Sequence, residues 1–359
     1  MRVAFVTDAP RVAGSEVWLR DLLPHLAAHG LTPTLFLPRR DTLTKFAEGL
    51  AGLDLRWYDD PAALPDLTRP YDLRVLQAWE GSTYRQLLPA LAAPTVVVSH
   101  DQLDYHYPAP IRALYREIYR HTKAAAFASA SGIITVSGWG AAFLRDQMHL
   151  FGVQGMTNGA DPDKFRPAAA GEREELRVQY GFSRFTVLVP GRFTLEKNQL
   201  AAVWAAKYAP DLDFVFVGDM DSGFGKIAQG LQKQFRLGNV RFLGRRWDMP
   251  ELYRAADALL QPTLAENQSL VTLEAMSSGL PVVTTSIPAQ TELVRDGVDG
   301  LCVPPQPELL ARALCALARH PEKAAEMGRN ARQRVLERHT VEGSAAQLAG
   351  LLRATVPKP

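Results

Sequence analysis

The chain has 359 residues, long for a single domain and well suited to two. Hydrophobic residues make up 47% and charged residues 22%, the balance of a well-buried globular protein. The net charge of +2, with both signs mixed throughout, excludes a broad nucleic-acid surface.

The N-terminal RVAFVTD is a predicted buried strand; no secretory leader is visible in it, and no apolar run reaches membrane-spanning length. SEVWLRDLLPHLAAHG follows as a helix with a glycine stop. Further strands are predicted at TPTLFLP, LRVLQAW, TVVVSH and GIITVS, with helical patterns between them. The scheme restarts at FTVLVPG and continues through FVFVGD, VRFLG, ALLQPT and PVVTTS. Continuous apolar strands alternating with helices mean parallel sheets covered on both faces. The linker NGADPDKFRPAAAGEREEL separates the halves, so the expected domains are 1–167 and 168–339. A last helix follows over 340–359, capped by Thr340. Two doubly wound α/β domains place ligands at the carboxyl ends of their strands. Cys302 and Cys315 match no metal spacing and point to a reducing, cytoplasmic setting.

Three segments carry chemistry. In PGRFTLEKNQLAAVWAA, Arg192 and Lys197 sit on a strand-to-helix loop, where two cations beside a helix start can clamp a diphosphate. Taken alone, they read more readily as solvated surface cations, since most arginines and lysines are simply solvated. In AENQSLVTLEAMSSGLPVV, Glu266 lies on the loop after a strand. Ser269 or Leu270 opens a helix, Glu274 lies inside it, and Gly279 and Pro281 end it. A loop carboxylate suits sugar hydroxyls, and a helix carboxylate suits the vicinal hydroxyls of a ribose. The alternative is one loop glutamate and one helix-stabilising glutamate. In TVVVSHDQLDYH, His100 ends a buried strand, where it either meets a substrate or merely closes the strand. His106 and His121 have weaker claims. Gly14 permits close backbone approach after the first strand, although the full GxGxxG spacing is missing. Asp-x-Asp pairs at 161–163, 211–213 and 219–221 read as incidental, so no metal site is expected. Residues 111–123 set Arg112, Arg116, Arg120 and Lys123 beside Tyr115 and Tyr119. Such a stripe suits a peripheral membrane contact, but more often it is a solvated face over a packed one.

NGADPDKFRP, GRFTLEKNQL, VRFLGRRWDMPELYRAADALLQPT and ENQSLVTLEAMSSGLPVV occur in the order seen in the retaining glycosyltransferase family 4, of the GT-B fold. The resemblance runs over nearly the whole chain and is strongest from about residue 155 to 305. It implies two Rossmann-like domains facing across a cleft, with acceptors on the first and a nucleotide diphosphate sugar on the second. The last helix would cross back to the first domain. Carried over by position, Arg192 and Lys197 bind the donor diphosphate and Glu266 binds the donor sugar. Glu274 holds the ribose, while the backbone at Ser269 and Leu270 meets the phosphate or sugar. Gly14 lies against the diphosphate, His100 lies by the transferred sugar, and the backbone around Arg245 borders the base. Asn267-Gln268-Ser269 stands where the family often has Gly-Phe-Gly, and Ala13-Gly14 where two glycines are common. Trp79, Glu80, Tyr105 and Tyr107 are further candidates near the cleft.

The implied reaction is metal-independent transfer of a sugar, with retention, from a UDP- or GDP-type donor to a glycan, lipid or small molecule. No further cofactor is expected. Two alternatives stay open: an epimerase of the same architecture, revealed by acceptor-free conversion of donor, and a non-catalytic nucleotide-sugar or glycan binder, revealed by binding without turnover.

Overall fold

The computed structural model describes residues 1–50, 52–102 and 109–356. Two compact units divide it: Met1–Gly159 together with the C-terminal helix Val341–Thr355, and Ala160–Thr340. The division falls upstream of Pro167 because the linker already belongs to the second unit. Ala160 bridges to Thr340, and Phe165 is buried in that unit's core.

The first unit is built on β1 (Arg2–Thr7), β2 (Thr32–Pro38), β3 (Asp54–Tyr58), β4 (Leu73–Gln77), β5 (Thr95–Ser99), β6 (Gly132–Thr135) and β7 (Val153–Gly155). They form one sheet in the order β3-β2-β1-β4-β5-β6-β7, with every pairing parallel. The second unit holds β8 (Thr186–Pro190), β9 (Asp213–Val217), β10 (Val240–Phe242), β11 (Ala258–Gln261), β12 (Val282–Thr285) and β13 (Gly300–Val303). Their order is β10-β9-β8-β11-β12-β13, again all parallel. In each sheet the chain runs outward in one direction, returns to the middle and runs outward in the other. The crevice where that reversal occurs lies between β1 and β4 in the first unit and between β8 and β11 in the second. It is the natural ligand position in such sheets.

Successive side chains of a strand point to opposite faces, so a sheet covered on both sides needs apolar residues at every position. In the second unit Val187 and Val189 of β8, with Phe214 and Phe216 of β9, pack into one core cluster. The intervening Leu188, Val215 and Val217 pack into the other. The edge strands obey a weaker demand. β3 and β13 are only partly buried, and β7 buries a single residue.

The helix Val341–Thr355 packs into the first unit. It buries Val341, Ala345, Leu348, Ala349 and Leu352, and its Ser344 Oγ donates to the Thr157 carbonyl at 2.8 Å. Among the described residues, no helix is long and apolar enough to cross a membrane.

Candidate donor site

Two loops of the second unit are laced together at its switch point. The loop after β8 runs from Gly191 to Asn198, and the loop after β11 runs from Pro262 to Ser269. Leu264 N and Thr263 Oγ1 both donate to the Glu196 carbonyl, at 2.7 and 2.9 Å. Asn198, in the left-handed region at φ 54°, turns the chain into the helix Gln199–Tyr208 and donates from Nδ2 to the Pro262 carbonyl at 3.0 Å. Lys197 and Glu266 therefore meet although they are 69 positions apart in sequence. Lys197 Nζ donates to Glu266 Oε1. Their side chains are 17% and 8% exposed, so the pair is largely withdrawn from water. Gln261 Nε2, at the end of β11, reaches the same Oε1 at 3.4 Å.

Arg192 lies nearby on the first loop, half-buried, with a loose 3.5 Å contact to Glu196. Beside it, the ends of β8 and β9 touch so closely that only glycine fits. Gly218 has φ 151°, and a Cβ there would stand 2.1 Å from the Gly191 carbonyl oxygen. Gly218 N donates to the Gly244 carbonyl, which brings the loop carrying Arg245 to the same edge. Arg245 is exposed and 3.9 Å from Asp219.

The helix Leu270–Ser277 starts at this edge. Ser269 is its N-cap, with Oγ accepting from Thr272 N at 3.2 Å, so this hydroxyl serves the helix as well as facing the loop. Glu274 is half-buried one turn in, and its Oε2 accepts from the Tyr253 hydroxyl at 2.9 Å. Asn267 and Gln268 are buried, so the polar residues standing in the family's Gly-Phe positions are part of the folded loop.

At the corresponding edge of the first unit, Gly14 opens the helix Gly14–Leu22 with nothing within 4 Å of where a Cβ would stand. No local pattern singles out Glu16, yet it organises this edge. Its buried carboxylate accepts from Ala13 N at 3.0 Å, from Ser15 Oγ at 2.9 Å and from Trp79 Nε1 at 3.3 Å. Burial pushes its pKa up to about 7 against these donors. Asp8 was likewise missed. It accepts from Trp79 N at 2.7 Å and Thr83 Oγ1 at 2.5 Å, which fixes the loop after β4. Asp8 has one local signal, a carboxylate directly after a strand end, whereas Glu16 lies inside the helix and has none. Glu80 is exposed beside this loop.

His100 follows β5, with its ring edge-on to Trp18 at a centroid distance of 4.7 Å. Its Nε2 is buried without a hydrogen-bond partner among the described residues. Burial lowers its pKa to about 4 despite the charge of Asp101, so the imidazole is neutral at pH 7. A neutral ring with an unsatisfied nitrogen is poised to hydrogen-bond a ligand. His121 instead pairs with Glu117 at 2.6 Å on an exposed helix face, and Tyr105, His106 and Tyr107 lie outside the described residues.

The helix Ala109–Tyr119 and the helical turn Arg120–Ala124 after it invert the expected arrangement of cations outside and apolar residues inside. Arg116 stacks on Phe143 at 5.6 Å, Arg120 donates to the Gln147 carbonyl at 3.1 Å, and Lys123 pairs with the largely buried Asp101. Ile111, Leu114, Tyr115 and Ile118 are exposed. Tyr119 turns inward, its hydroxyl donating to Asp101 at 3.0 Å. The Asp-x-Asp pairs have local tasks. Asp161 and Asp219 accept from backbone N–H groups two residues on, and Asp213 pairs with Arg184.

Cations after β8, a carboxylate after β11 and a second carboxylate in the adjoining helix can together hold a phosphorylated polyol. Comparison with known proteins agrees with that chemistry. Residues 172–334 match the family model described as glycosyl transferases group 1. The chain is 32% identical over 158 residues to the UDP-Gal:alpha-D-GlcNAc-diphosphoundecaprenol alpha-1,3-galactosyltransferase of Escherichia coli, covering 41% of this chain and 40% of that protein. It is 32% identical over 220 residues to a D-inositol 3-phosphate glycosyltransferase of Corynebacterium urealyticum, covering 57% of this chain and 51% of that protein. The chain thus spans about half, or less, of these relatives' length. Among solved structures, Anabaena Alr3699/HepE in complex with UDP and glucose superposes with a TM-score of 0.81 at 22% identity, covering 99% of this chain and 100% of that one. Residues 172–334 thus resemble the glycosyl transferases group 1 family, and the fold of the chain is GT-B.

Proposed function

We propose that the protein is a retaining, metal-independent glycosyltransferase that moves a sugar from a nucleotide diphosphate sugar to a glycan, lipid or small-molecule acceptor. The observation that carries this reading is the meeting of Lys197 with Glu266 at the switch point, beside the helix that carries Glu274. In this reading Arg192 and Lys197 neutralise the charge that grows on the departing diphosphate, so a metal is not required for that role. Glu266 takes hydroxyls of the sugar and Glu274 those of the ribose. Ser269 and Leu270 present the helix start to the phosphate or sugar. The loop with Arg245 borders the base. In the first unit, Gly14 is assigned to the diphosphate and neutral His100 to the transferred sugar. That unit takes the acceptor, and residues 168–339 take the donor.

Transfer is followed with UDP- and GDP-sugars in the presence of EDTA. Wild type should be active. Lys197→Ala should lose about 100-fold in kcat/KM, the usual scale for removing one stabiliser of transition-state charge. Glu274→Ala should lose mainly donor affinity. Unchanged activity in both variants sinks the assignment, and conversion of donor without acceptor would favour an epimerase.

A cytoplasmic enzyme working at the inner face of the membrane fits the two unpaired cysteines and the exposed Ile111, Leu114 and Ile118. Leu114→Glu should leave stability within about 0.5 kcal/mol of wild type, as for other exposed sites, yet reduce co-sedimentation with anionic vesicles. Equal co-sedimentation of both proteins would remove the membrane reading.

A further inference from the structure

We infer that the Lys197–Glu266 ion pair is a latch that discriminates the intact donor from the nucleoside diphosphate left after transfer. The inference rests on the reading of this edge as a nucleotide-sugar site.

Glu266 is 6% exposed. Its partners among the described residues are Lys197 Nζ and Gln261 Nε2, and both reach the same oxygen, Oε1. The Gln261 contact is long at 3.4 Å, and the other side of that amide, Oε1, is buried without a described partner. Nearly all the compensation of the Glu266 charge therefore comes from Lys197. A diphosphate arriving at the loop after β8 competes for that same ammonium group. Arg192 differs, because its own side chain is 32% exposed and its 3.5 Å contact to Glu196 is loose, so engaging it breaks no tight pair.

The two ligands then have unequal consequences. A nucleoside diphosphate draws Lys197 to its phosphates and leaves Glu266 as a buried carboxylate beside an added anion, held only by the long Gln261 bond. An unpaired buried charge is strongly unfavourable. A nucleotide sugar brings hydroxyl donors to Glu266 at the same moment as it brings phosphate to Lys197. Both charges end satisfied. The pair therefore penalises the product and spares the donor, and its re-formation helps to expel the product. Glu266 becomes a specificity residue for the presence of the sugar as well as a contact to it.

Titration calorimetry with UDP, GDP, UDP-glucose and GDP-mannose tests this on wild type, Glu266→Gln and Glu266→Ser. Glutamine keeps the side chain's shape and serine removes the charge without an amide, while thermal unfolding reports that each variant is folded. Both variants should bind the matching nucleoside diphosphate at least about tenfold tighter than wild type, the lower end of what relieving an unpaired buried carboxylate is worth. Neither should bind the nucleotide sugar tighter. If nucleoside diphosphate affinity is unchanged or falls along with that of the sugar conjugate, the latch is wrong while the donor-site reading stands. If wild type binds none of the four compounds, the donor-site reading itself fails and the latch falls with it.

Discussion

The two switch points share a topology and differ in charge. In the second unit the loops at β8 and β11 bring Arg192 and Lys197 to the sheet edge, with Glu266 as a partner. In the first unit the loops at β1 and β4 bring Asp8, Glu16 and Trp79, and the carboxylates are filled by the protein's own N–H and O–H donors. One edge is dressed to meet an anion, and the other is already closed on itself. The strand order decides where a ligand can sit, and the side chains on the loops decide what it can be.

Glycine substitutions give the largest contrast between the two edges. Gly218→Ala puts a methyl group 2.1 Å from the Gly191 carbonyl oxygen at a φ of 151°, so both space and backbone conformation oppose it. It should destabilise the protein by on the order of 3 kcal/mol or more in chemical unfolding. Gly14→Ala meets nothing within 4 Å. It should shift stability by less than about 0.5 kcal/mol. If a diphosphate approaches that backbone, transfer should nonetheless fall. Similar unfolding for the two variants would break the contrast.

A smaller effect separates the two titrating groups of the first unit. Glu16 binds its proton more tightly when folded, so its contribution to stability is complete below about 4.5 and is lost as pH rises to about 7. His100 goes the other way. Its contribution is complete above 6.5 and is lost as pH falls to about 4. Between 4.5 and 6.5 the two oppose each other. Glu16→Gln should therefore gain stability over wild type as pH rises from 4.5 to 7, by on the order of 3 kcal/mol across that window. Parallel stability curves for the two proteins would show that Glu16 is not held protonated by the fold.

Much of this is legible in the sequence. The strands in the middle of each sheet carry apolar runs that are legible in the sequence, because burial on both faces leaves little other choice; the few polar exceptions, such as Arg74 in β4, are bonded to backbone carbonyls. The three strands that went unread, β3, β7 and β13, all lie at sheet edges. There DLRWY and VQG carry polar residues that solvent tolerates. The candidate site of the second unit is legible because each half of it is a local pattern: Arg192 to Lys197 on one loop, Glu266 to Glu274 on the other. Glu16 and Gln261 were not. Glu16 matters through Trp79, 63 positions away, and Gln261 through Glu266, which a strand end and a loop bring back onto it. The helix at 109–119 was read with the wrong face inward because the stems of Arg116 and Arg120 can lie over apolar surface as well as any aliphatic side chain.

The C-terminal helix has a consequence for biosynthesis. Both ends of the second unit lie side by side, with Ala160 N bonded to the His339 carbonyl at 2.9 Å, so that unit is an insertion within the first. The ribosome must complete residues 160–340 before it supplies the helix that covers Leu23 and Leu26 of the first unit. The part of the protein made first is thus finished last. A premature stop at residue 341 would injure the nascent N-terminal half and leave the second unit whole.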